Sequence, residues 1–324
     1  MLSELGLIRK FKKLLQTRAP RIQLGIGDDT AAVAFGRKNL LFTCDSVMEG
    51  VHFRLDYFSF YEVGWRLASS NLSDIAAMGG RPLAALITLG VRKGLSEKNI
   101  IETYKGITAL LSNFNCPIVG GDVVRSRQFF MDMAMLGEAG KKLFTRSGAR
   151  PGELVVVSGE LGRSLLGFRL LSKAKKRTLS VLTEKHLRPL PRLLESAYLA
   201  SRVKVGGMID ISDGLSSELH HLSEQSGVGF EIEEEKLPLN PVLVKETRKL
   251  GLSPTDLALS SGEEYELLFT CPASEERKLQ FWNRRLRGAP FTVIGRTVKS
   301  PQKVLLKKAS GKTAVVRPTG FRHF

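Results

Sequence analysis

Aspartate is the residue type whose distribution in this sequence points to chemistry. Seven of the ten aspartates lie in Gly-, Ser- or Ala-rich stretches beside apolar segments: Asp28, Asp29, Asp45, Asp74, Asp122, Asp210 and Asp213. Short carboxylate side chains held close to rigid backbone suit an oxygen-ligated Mg²⁺ ion that carries bound phosphates. The pattern therefore predicts a site for magnesium and phosphate.

The first of these stretches is GIGDDTAAV, residues 25–33. Glycine permits a positive φ and close approach of a ligand, and two confined aspartates cannot both stay ionised without a cation. A solvated turn is the alternative, because Asp and Gly dominate turns for conformational reasons alone. The recurrence of aspartates in similar settings downstream favours the metal site.

Strands and helices are predicted to position the other carboxylates. The segment 39–44 predicts a strand that delivers Asp45 to its end, and helical spacing over 61–70 leads into small residues around Asp74. Residues 117–122 predict an apolar strand followed by glycines and Asp122. A later strand ends at Asp210, where a second aspartate pair opens a helix whose N-terminal amides favour phosphate.

Length and charge bound the class of protein. A chain of 324 residues predicts two domains, and the linker-like composition of 146–152 places their boundary between residues 148 and 149. The formal charge of +17 suits anionic ligands. The basic run at 173–177 is interpreted as a solvated helix end or loop, and we expect no nucleic-acid partner because no recognition motif accompanies the charge.

Cysteine usage and hydropathy indicate the compartment. Cys44, Cys116 and Cys271 are far apart, which fits a reducing compartment and excludes a cysteine-rich zinc site. The apolar run 83–91 is too short to cross a bilayer. Residues 1–15 have the spacing of an amphipathic helix rather than a signal peptide, so we expect a cytoplasmic protein with no membrane partner.

Three familiar nucleotide-binding motifs are absent. Ser310 to Thr313 resembles the end of a P-loop, but Leu306 stands where the first glycine should be, and we interpret the segment as a hairpin. The glycines at 25 and 27 lack the third member of a dinucleotide fingerprint, and no kinase-type glycine-rich loop occurs.

Taken together, the motifs resemble those of the thiamine-monophosphate kinases, in the superfamily of aminoimidazole ribonucleotide synthetase and selenophosphate synthetase. The resemblance runs nearly end to end and rests on GIGDD (25–29), GVHF (50–53), NLSD (71–74), GGD (120–122), RSGA (146–149), DISDGL (210–215), the segment 262–268, and the terminal Gly-aromatic-x-His-Phe. It implies a two-domain α/β (α+β) architecture of the aminoimidazole ribonucleotide synthetase type. The N-terminal sheet would pair across a homodimer, and ATP and several Mg²⁺ ions would lie in the cleft between the domains.

The same resemblance implies roles for individual residues. The implied metal ligands are Asp29, Thr43, Cys44, Asp45, Asp74, Asp122, Asp210 and Asp213. The implied ATP contacts are Tyr104, Gly121, Asp122, Arg146 and Ser212, and the implied substrate contacts are His52, Glu263 and Phe321. Asp122, Arg146 and Asp210 would act in catalysis.

Some positions depart from the family pattern. Cys44 stands where a hydroxyl residue is usual, which leaves its backbone carbonyl as the metal donor. Val123 follows Asp122 where Thr is common, and Ser261 and Glu264 replace the usual Gly and Asp. None of these departures removes a carboxylate assigned to metal.

The implied reaction is Mg²⁺-assisted, in-line transfer of the ATP γ-phosphoryl group to the phosphate of thiamine monophosphate. It is the last step of thiamine diphosphate biosynthesis. The nearest rival is another enzyme of the superfamily. Selenophosphate synthetase should carry a reactive Cys or selenocysteine in its N-terminal Gly-rich region, but this sequence has no cysteine before Cys44. The hydrogenase-maturation relative should end in Cys, but this chain ends in Phe324. A basic RNA-binding module is the rival from another class, and it would leave the patterned aspartates unexplained.

Overall fold

The computed structural model describes residues 4–15, 19–174, 179–285, 288–300 and 303–320. The α-helices are α1 (Glu4–Leu14), α2 (Phe60–Ala77), α3 (Glu97–Leu111), α4 (Arg163–Lys173), α5 (Glu184–Leu187), α6 (Leu193–Arg202), α7 (Leu215–Ser226), α8 (Pro241–Lys249), α9 (Pro254–Ser260) and α10 (Glu276–Arg285). The strands are β1 (Ile22–Leu24), β2 (Ala31–Phe35), β3 (Lys38–Met48), β4 (Arg81–Val91), β5 (Ile118–Arg125), β6 (Phe130–Ala139), β7 (Leu154–Ser158), β8 (Met208–Asp210), β9 (Gly229–Glu233), β10 (Leu267–Cys271), β11 (Phe291–Val298), β12 (Val304–Lys307) and β13 (Thr313–Val315).

The first half of the chain forms a six-stranded sheet in the order β1-β2-β3-β6-β4-β5. Neighbouring strands are antiparallel except β4 and β5, which are parallel because α3 lies between them in the chain. The strand β3 is longer than the sequence predicted and continues to Met48. The prediction that Asp45 ends this strand is therefore wrong, because Asp45 lies well inside it and pairs with Met133.

Helices α2 and α3 pack against each other through two glycines. A Cβ atom on Gly106 would lie 1.8 Å from the carbonyl oxygen of Tyr61, and one on Gly64 would lie 1.9 Å from that of Thr103. Side chains larger than hydrogen would force the helices apart. The close approach fixes the position of α2 relative to α3.

Helix α2 begins at a capping box. The Ser59 side chain accepts from the backbone amide of Glu62, and the Glu62 carboxylate accepts from the amide of Ser59, so two donors at the helix start are satisfied. The helix is buried along most of its length, between the first sheet and the C-terminal half of the chain. For example, Ser196 of α6 donates to the carbonyl oxygen of Ala76 at 2.5 Å.

The second half forms a seven-stranded mixed sheet in the order β13-β12-β9-β11-β7-β10-β8. Residues 308–312 join β12 and β13, which pair antiparallel, so the hairpin interpretation of the segment 310–313 is confirmed. The first sheet ends at Ala139 and the second begins at Leu154. The predicted boundary between 148 and 149 falls in the segment that joins them.

Hydrophobic cores lie on both faces of the second sheet. One cluster runs from the first sheet and α2 into the second half of the chain and includes Leu72, Met133, Val156 and Phe269. Another fills the opposite side, under α7. Among the described residues, no helix has the length and apolar character needed to cross a membrane.

Candidate active site

One face of α2 carries four polar side chains at helical spacing: Arg66, Ser70, Ser73 and Asp74. Positions i, i+4, i+7 and i+8 lie on one side of a helix, so these groups point in a common direction. Ser73 donates to Asp210 of β8 at 2.5 Å, and Ser70 hydrogen bonds to Asp45 of β3. The face therefore connects carboxylates from both halves of the chain.

Three carboxylates meet at this face. One oxygen each from Asp29, Asp74 and Asp210 lies within 4.8 Å of the others. Thr43 of β3 donates to Asp74, so a hydroxyl joins the group. The structure thus brings together three of the predicted metal-binding aspartates from three separate parts of the sequence.

Burial and mutual repulsion perturb these carboxyls. Burial, followed by the charge of Asp29, raises the pKa of Asp210 to about 8. Burial and the neighbouring charges of Asp45, Asp210 and Asp29 raise the pKa of Asp74 well above its usual value. Both shifts show that negative charge is unfavourable here without a compensating cation.

The residues fit a magnesium ion. The Asp29 Oδ2 atom is buried and has no hydrogen-bond partner among the described residues, which is costly unless a cation or another ligand completes it. All donors of the group are oxygens, the ligand type that Mg²⁺ prefers. The carboxylates would offset the charge of a divalent ion at the point where the two halves of the chain meet.

Arg146 lies against the GIGDD turn. Its Nη2 atom is 2.5 Å from Asp29 Oδ1, and its backbone amide donates to Asp28 at 3.3 Å. Burial and the charge of Asp29 raise the pKa of Asp28 to about 6, although Arg146 opposes the rise. The Asp29 carboxylate in turn raises the pKa of Arg146 against the effect of burial, so the guanidinium stays charged beside the cluster.

The residues of β3 divide between two faces of the sheet. Thr43 and Asp45 lie on the face toward α2, whereas the Cys44 side chain is exposed on the other face, where its thiol lies 3.3 Å from Asp132. Partial burial and the hydrogen bond to Asp132 raise the pKa of the Cys44 thiol to about 11. The thiol is therefore protonated near neutral pH and points away from the three-carboxylate group.

The sequence places Asp122 after an apolar strand, but the structure places it inside β5. It lies in register with Thr88, which lies in register with Asp132. Asp122 is therefore on the same face of the sheet as Asp132 and Cys44, the outer face, which points away from α2. At the usual strand spacing, β5 is roughly 14 Å from β3. The structure therefore does not bring Asp122 into the three-carboxylate group. The preceding Gly121 is required sterically, because a Cβ there would lie 1.9 Å from the carbonyl of Ile87.

The segment between β8 and α7 faces the loop at 261–266. The Ser212 carbonyl accepts from the amide of Glu263 at 2.6 Å, and the Asp213 amide donates to buried Glu218 at 2.9 Å. Glu263 and Tyr265 have φ values of 54° and 49°. Two non-glycine residues in the left-handed region mark local strain, which structures retain mainly at functional sites.

Two of the predicted substrate residues, His52 and Glu263, meet the same face of α2 nearer its N-terminal end, at Arg66. Arg66 contacts both the carbonyl oxygen of His52 and the carboxylate of Glu263. Phe321 lies outside the described residues, but Gly320 packs so closely on Asp213 that a Cβ there would lie 2.1 Å from the Asp213 carbonyl oxygen. Tyr104 lies on α3 and packs partly buried against the N-terminal core.

The chain matches two family models that together cover most of its length. Residues 27–139 match the N-terminal domain of AIR synthase related proteins, and residues 150–308 match the C-terminal domain. The thiamine-monophosphate kinase of Aquifex aeolicus (strain VF5) is 38% identical over 326 residues, which is 100% of this chain and 98% of that relative. The chain belongs to the thiamine-monophosphate kinase family.

Other thiamine-monophosphate kinases agree over nearly the same length. The protein of Bacillus subtilis (strain 168) is 33% identical over 94% of both chains. A solved structure described as AaThiL complexed with AMPPCP and TMP superposes with a TM-score of 0.87 at 36% identity, covering 100% of this chain and 97% of that one. The hydrogenase maturation protein HypE, at 20% identity and a TM-score of 0.71, shares the fold.

Several residues at this site of the thiamine-monophosphate kinase fold were missed from the sequence. They are Arg66, Ser70 and Ser73 on α2, and Glu218 on α7, whose pKa is raised well above normal by burial and by Asp213. The polar i, i+4, i+7 spacing, which Asp74 continues at i+8, could have identified the first three. Glu218 had no comparable signal.

Proposed function

We propose that this protein transfers the γ-phosphoryl group of ATP to the phosphate of thiamine monophosphate, producing thiamine diphosphate and ADP. The reaction completes the biosynthesis of thiamine diphosphate. The observation that carries the proposal is identity of more than 30% across nearly the whole chain to several thiamine-monophosphate kinases. The structure described as a complex with AMPPCP and TMP supports an ATP site and a thiamine monophosphate site in the same fold.

The reaction requires two polyanions to approach each other. One P–O bond to the ADP leaving group breaks, and one forms to a phosphate oxygen of the acceptor. That oxygen is already ionised near neutral pH, so we assign no general base. The protein's task is to position the two phosphates in line and to offset their charge.

Magnesium would be held by Asp29, Asp74 and Asp210, with Thr43, Asp45 and Asp213 nearby, and it would supply charge neutralisation for the phosphate oxygens. Asp122 lies apart from this group, and its role as a ligand stays a prediction, as does that of the Cys44 carbonyl. Arg146 adds a guanidinium that remains charged, and the N-terminus of α7 adds backbone amides that favour phosphate. These groups are fixed before substrate binds, which lowers the cost of reorganisation during transfer.

Recognition of the acceptor would fall to His52, Glu263 and Phe321. Thiazolium carries a positive charge that the face of an aromatic ring attracts. Glu263 lies in the strained loop beside Ser212, a proposed ATP contact, so the loop would place the acceptor near the nucleotide. Tyr104 and Gly121 stay predictions for ATP binding.

We also propose that the protein is a cytoplasmic homodimer. Strand β5 is the edge of the first sheet and is exposed from Val119 to Arg125, including Val119 and Val123 at 63% and 66% exposure. An open edge with apolar residues is a surface for pairing with another sheet. Light scattering should give the mass of two chains, and Val123→Lys should shift the mass toward one. The three free cysteines support a reducing compartment.

The function is tested by measuring ADP release from ATP and Mg²⁺ with and without thiamine monophosphate. We expect release to depend on thiamine monophosphate, and chromatography to detect thiamine diphosphate in equal amount. Free thiamine serves as the matched control because it lacks the accepting phosphate. Comparable turnover of free thiamine, or ADP release that ignores both compounds, would overturn the proposal.

A further inference from the structure

Among the residues that the structure describes, Arg66 is the largest fully buried side chain, with 1% of its surface exposed. Its guanidinium touches three separate segments of the chain. The Nη1 atom donates to the carbonyl oxygen of His52 at 3.3 Å and to the carboxylate of Glu263. The Nη2 atom donates to the carbonyl oxygen of His186 at 2.7 Å.

The surroundings make Glu263 the charge partner of this arginine. His186 cannot share the positive charge, because burial and the neighbouring guanidinium lower the pKa of its ring well below the usual value. Neutral His186 places Nδ1 3.2 Å from Arg66 Nη2, and Phe58 packs its ring 4.9 Å from the guanidinium carbon. A buried charge is expensive unless it is paired, so the contact with Glu263 is maintained.

Glu263 in turn depends on Arg66 for its position. Its side chain is 32% exposed, and its backbone is in the left-handed region, where a non-glycine residue is held by its surroundings rather than by preference. A guanidinium presents its donors in a rigid fork, so it fixes a carboxylate in direction as well as distance. Arg66 therefore sets where the exposed part of Glu263 lies.

We propose that Arg66 is the positioning residue of the thiamine pocket, acting through the carboxylate of Glu263 and the main chain of His52. The inference rests on the proposed function, because those two residues are the predicted contacts of thiamine monophosphate. Arg66 connects the segment before α2 with the loop before β10, and the two sides of the pocket are held by one group. A lysine could not do this, because an ammonium is a point charge that lacks the fork.

The test compares Arg66→Lys, Glu263→Gln and the double variant with the unchanged protein. Arg188→Lys is the matched control, because Arg188 also packs on α2, through the ring of Tyr61 and the carboxylate of Glu62, but contacts neither His52 nor Glu263. For each protein, kcat and the KM values for thiamine monophosphate and ATP are measured, together with the melting temperature.

We expect Arg66→Lys to raise the KM for thiamine monophosphate roughly tenfold while kcat and the KM for ATP change less than twofold. In the Glu263→Gln background, Arg66→Lys should raise the KM for thiamine monophosphate by less than a further threefold, because the carboxylate through which Arg66 acts is already removed. Arg188→Lys should leave all three constants unchanged.

Several results would overturn the inference. One is that Arg66→Lys has the same kinetic constants as Arg188→Lys. Another is that the double variant raises the KM for thiamine monophosphate by the product of the two single effects. A third is that Arg66→Lys raises the KM values for thiamine monophosphate and ATP equally. Failure of Arg66→Lys to fold while Arg188→Lys folds would assign Arg66 to the stability of the fold alone. Failure of the unchanged protein to phosphorylate thiamine monophosphate would instead refute the proposed function, and the inference with it.

Discussion

Replacing Asp74 with asparagine should stabilise the metal-free protein while it removes the response to magnesium. The carboxylate oxygens of Asp29, Asp74 and Asp210 lie within 4.8 Å of one another, which at an effective dielectric constant of about 20 corresponds to about 3.5 kcal/mol of repulsion per ionised pair. The raised pKa values of Asp74 and Asp210 mean that bound protons relieve part of this repulsion near neutral pH. We therefore expect Asp74→Asn to raise the free energy of unfolding of the metal-free protein by roughly 1 to 2 kcal/mol, about half of the repulsion of one ionised pair.

The assay is thermal unfolding with a chelator and with saturating Mg²⁺. In chelator, Asp74→Asn should melt roughly 2 to 6 °C above the unchanged protein. Mg²⁺ should raise the melting temperature of the unchanged protein but not that of the variant, and the variant's kcat should fall at least roughly a hundredfold. Asp56→Asn, which removes only an exposed ion pair with Arg54, is the control and should change little. A variant that melts earlier in chelator, or that still responds fully to Mg²⁺, would refute the reasoning.

Three further perturbations test other parts of the molecule. Gly106→Ala should cost roughly 3 kcal/mol in urea unfolding, because its Cβ would lie 1.8 Å from the Tyr61 carbonyl, whereas Gly140→Ala, with nothing within 4 Å, should not. Burial, with Arg146 nearby, lowers the pKa of His221 to about 4, so the unfolded chain takes up its proton first and stability falls as the pH drops below about 6.5. His221→Gln should therefore lose roughly 2 kcal/mol less than the unchanged protein between pH 7 and 5, and equal losses would contradict the assignment. Phe321→Ala should raise the KM for thiamine monophosphate roughly tenfold and leave the KM for ATP unchanged, and equal increases in both would count against a pocket role.

The sequence predicted local elements well where a single pattern dominated. The segment 310–313, interpreted from the sequence as a hairpin, lies where β12 and β13 pair antiparallel. The extent of β3 was missed because Asp45 and Ser46 look like a strand end, whereas their carboxylate and hydroxyl are satisfied by groups distant in sequence. Local patterns cannot contain those partners.

The same distinction applies to the site. Asp29, Asp74 and Asp210 were predicted from composition and resemblance, and they do lie together. Arg66 was not predicted, because the property that makes it notable is burial against Glu263, 197 positions away. The outer-face position of Asp122 also depends on register across three strands, which no stretch of sequence specifies.

The rigidity of helix α2 would make the enzyme selective for the length of its acceptor. Arg66 and Asp74 lie eight residues apart on one face, and at 1.5 Å per residue their Cα atoms are separated by about 12 Å along the axis. Arg66 would fix the ring end of the acceptor and Asp74 would serve its phosphate end, so both groups belong to one rigid helix. The close packing at Gly64 and Gly106 fixes this helix against α3. The helix would therefore fix the distance between the ring site and the phosphate site. A loop could adjust to a longer or shorter acceptor, but a helix cannot.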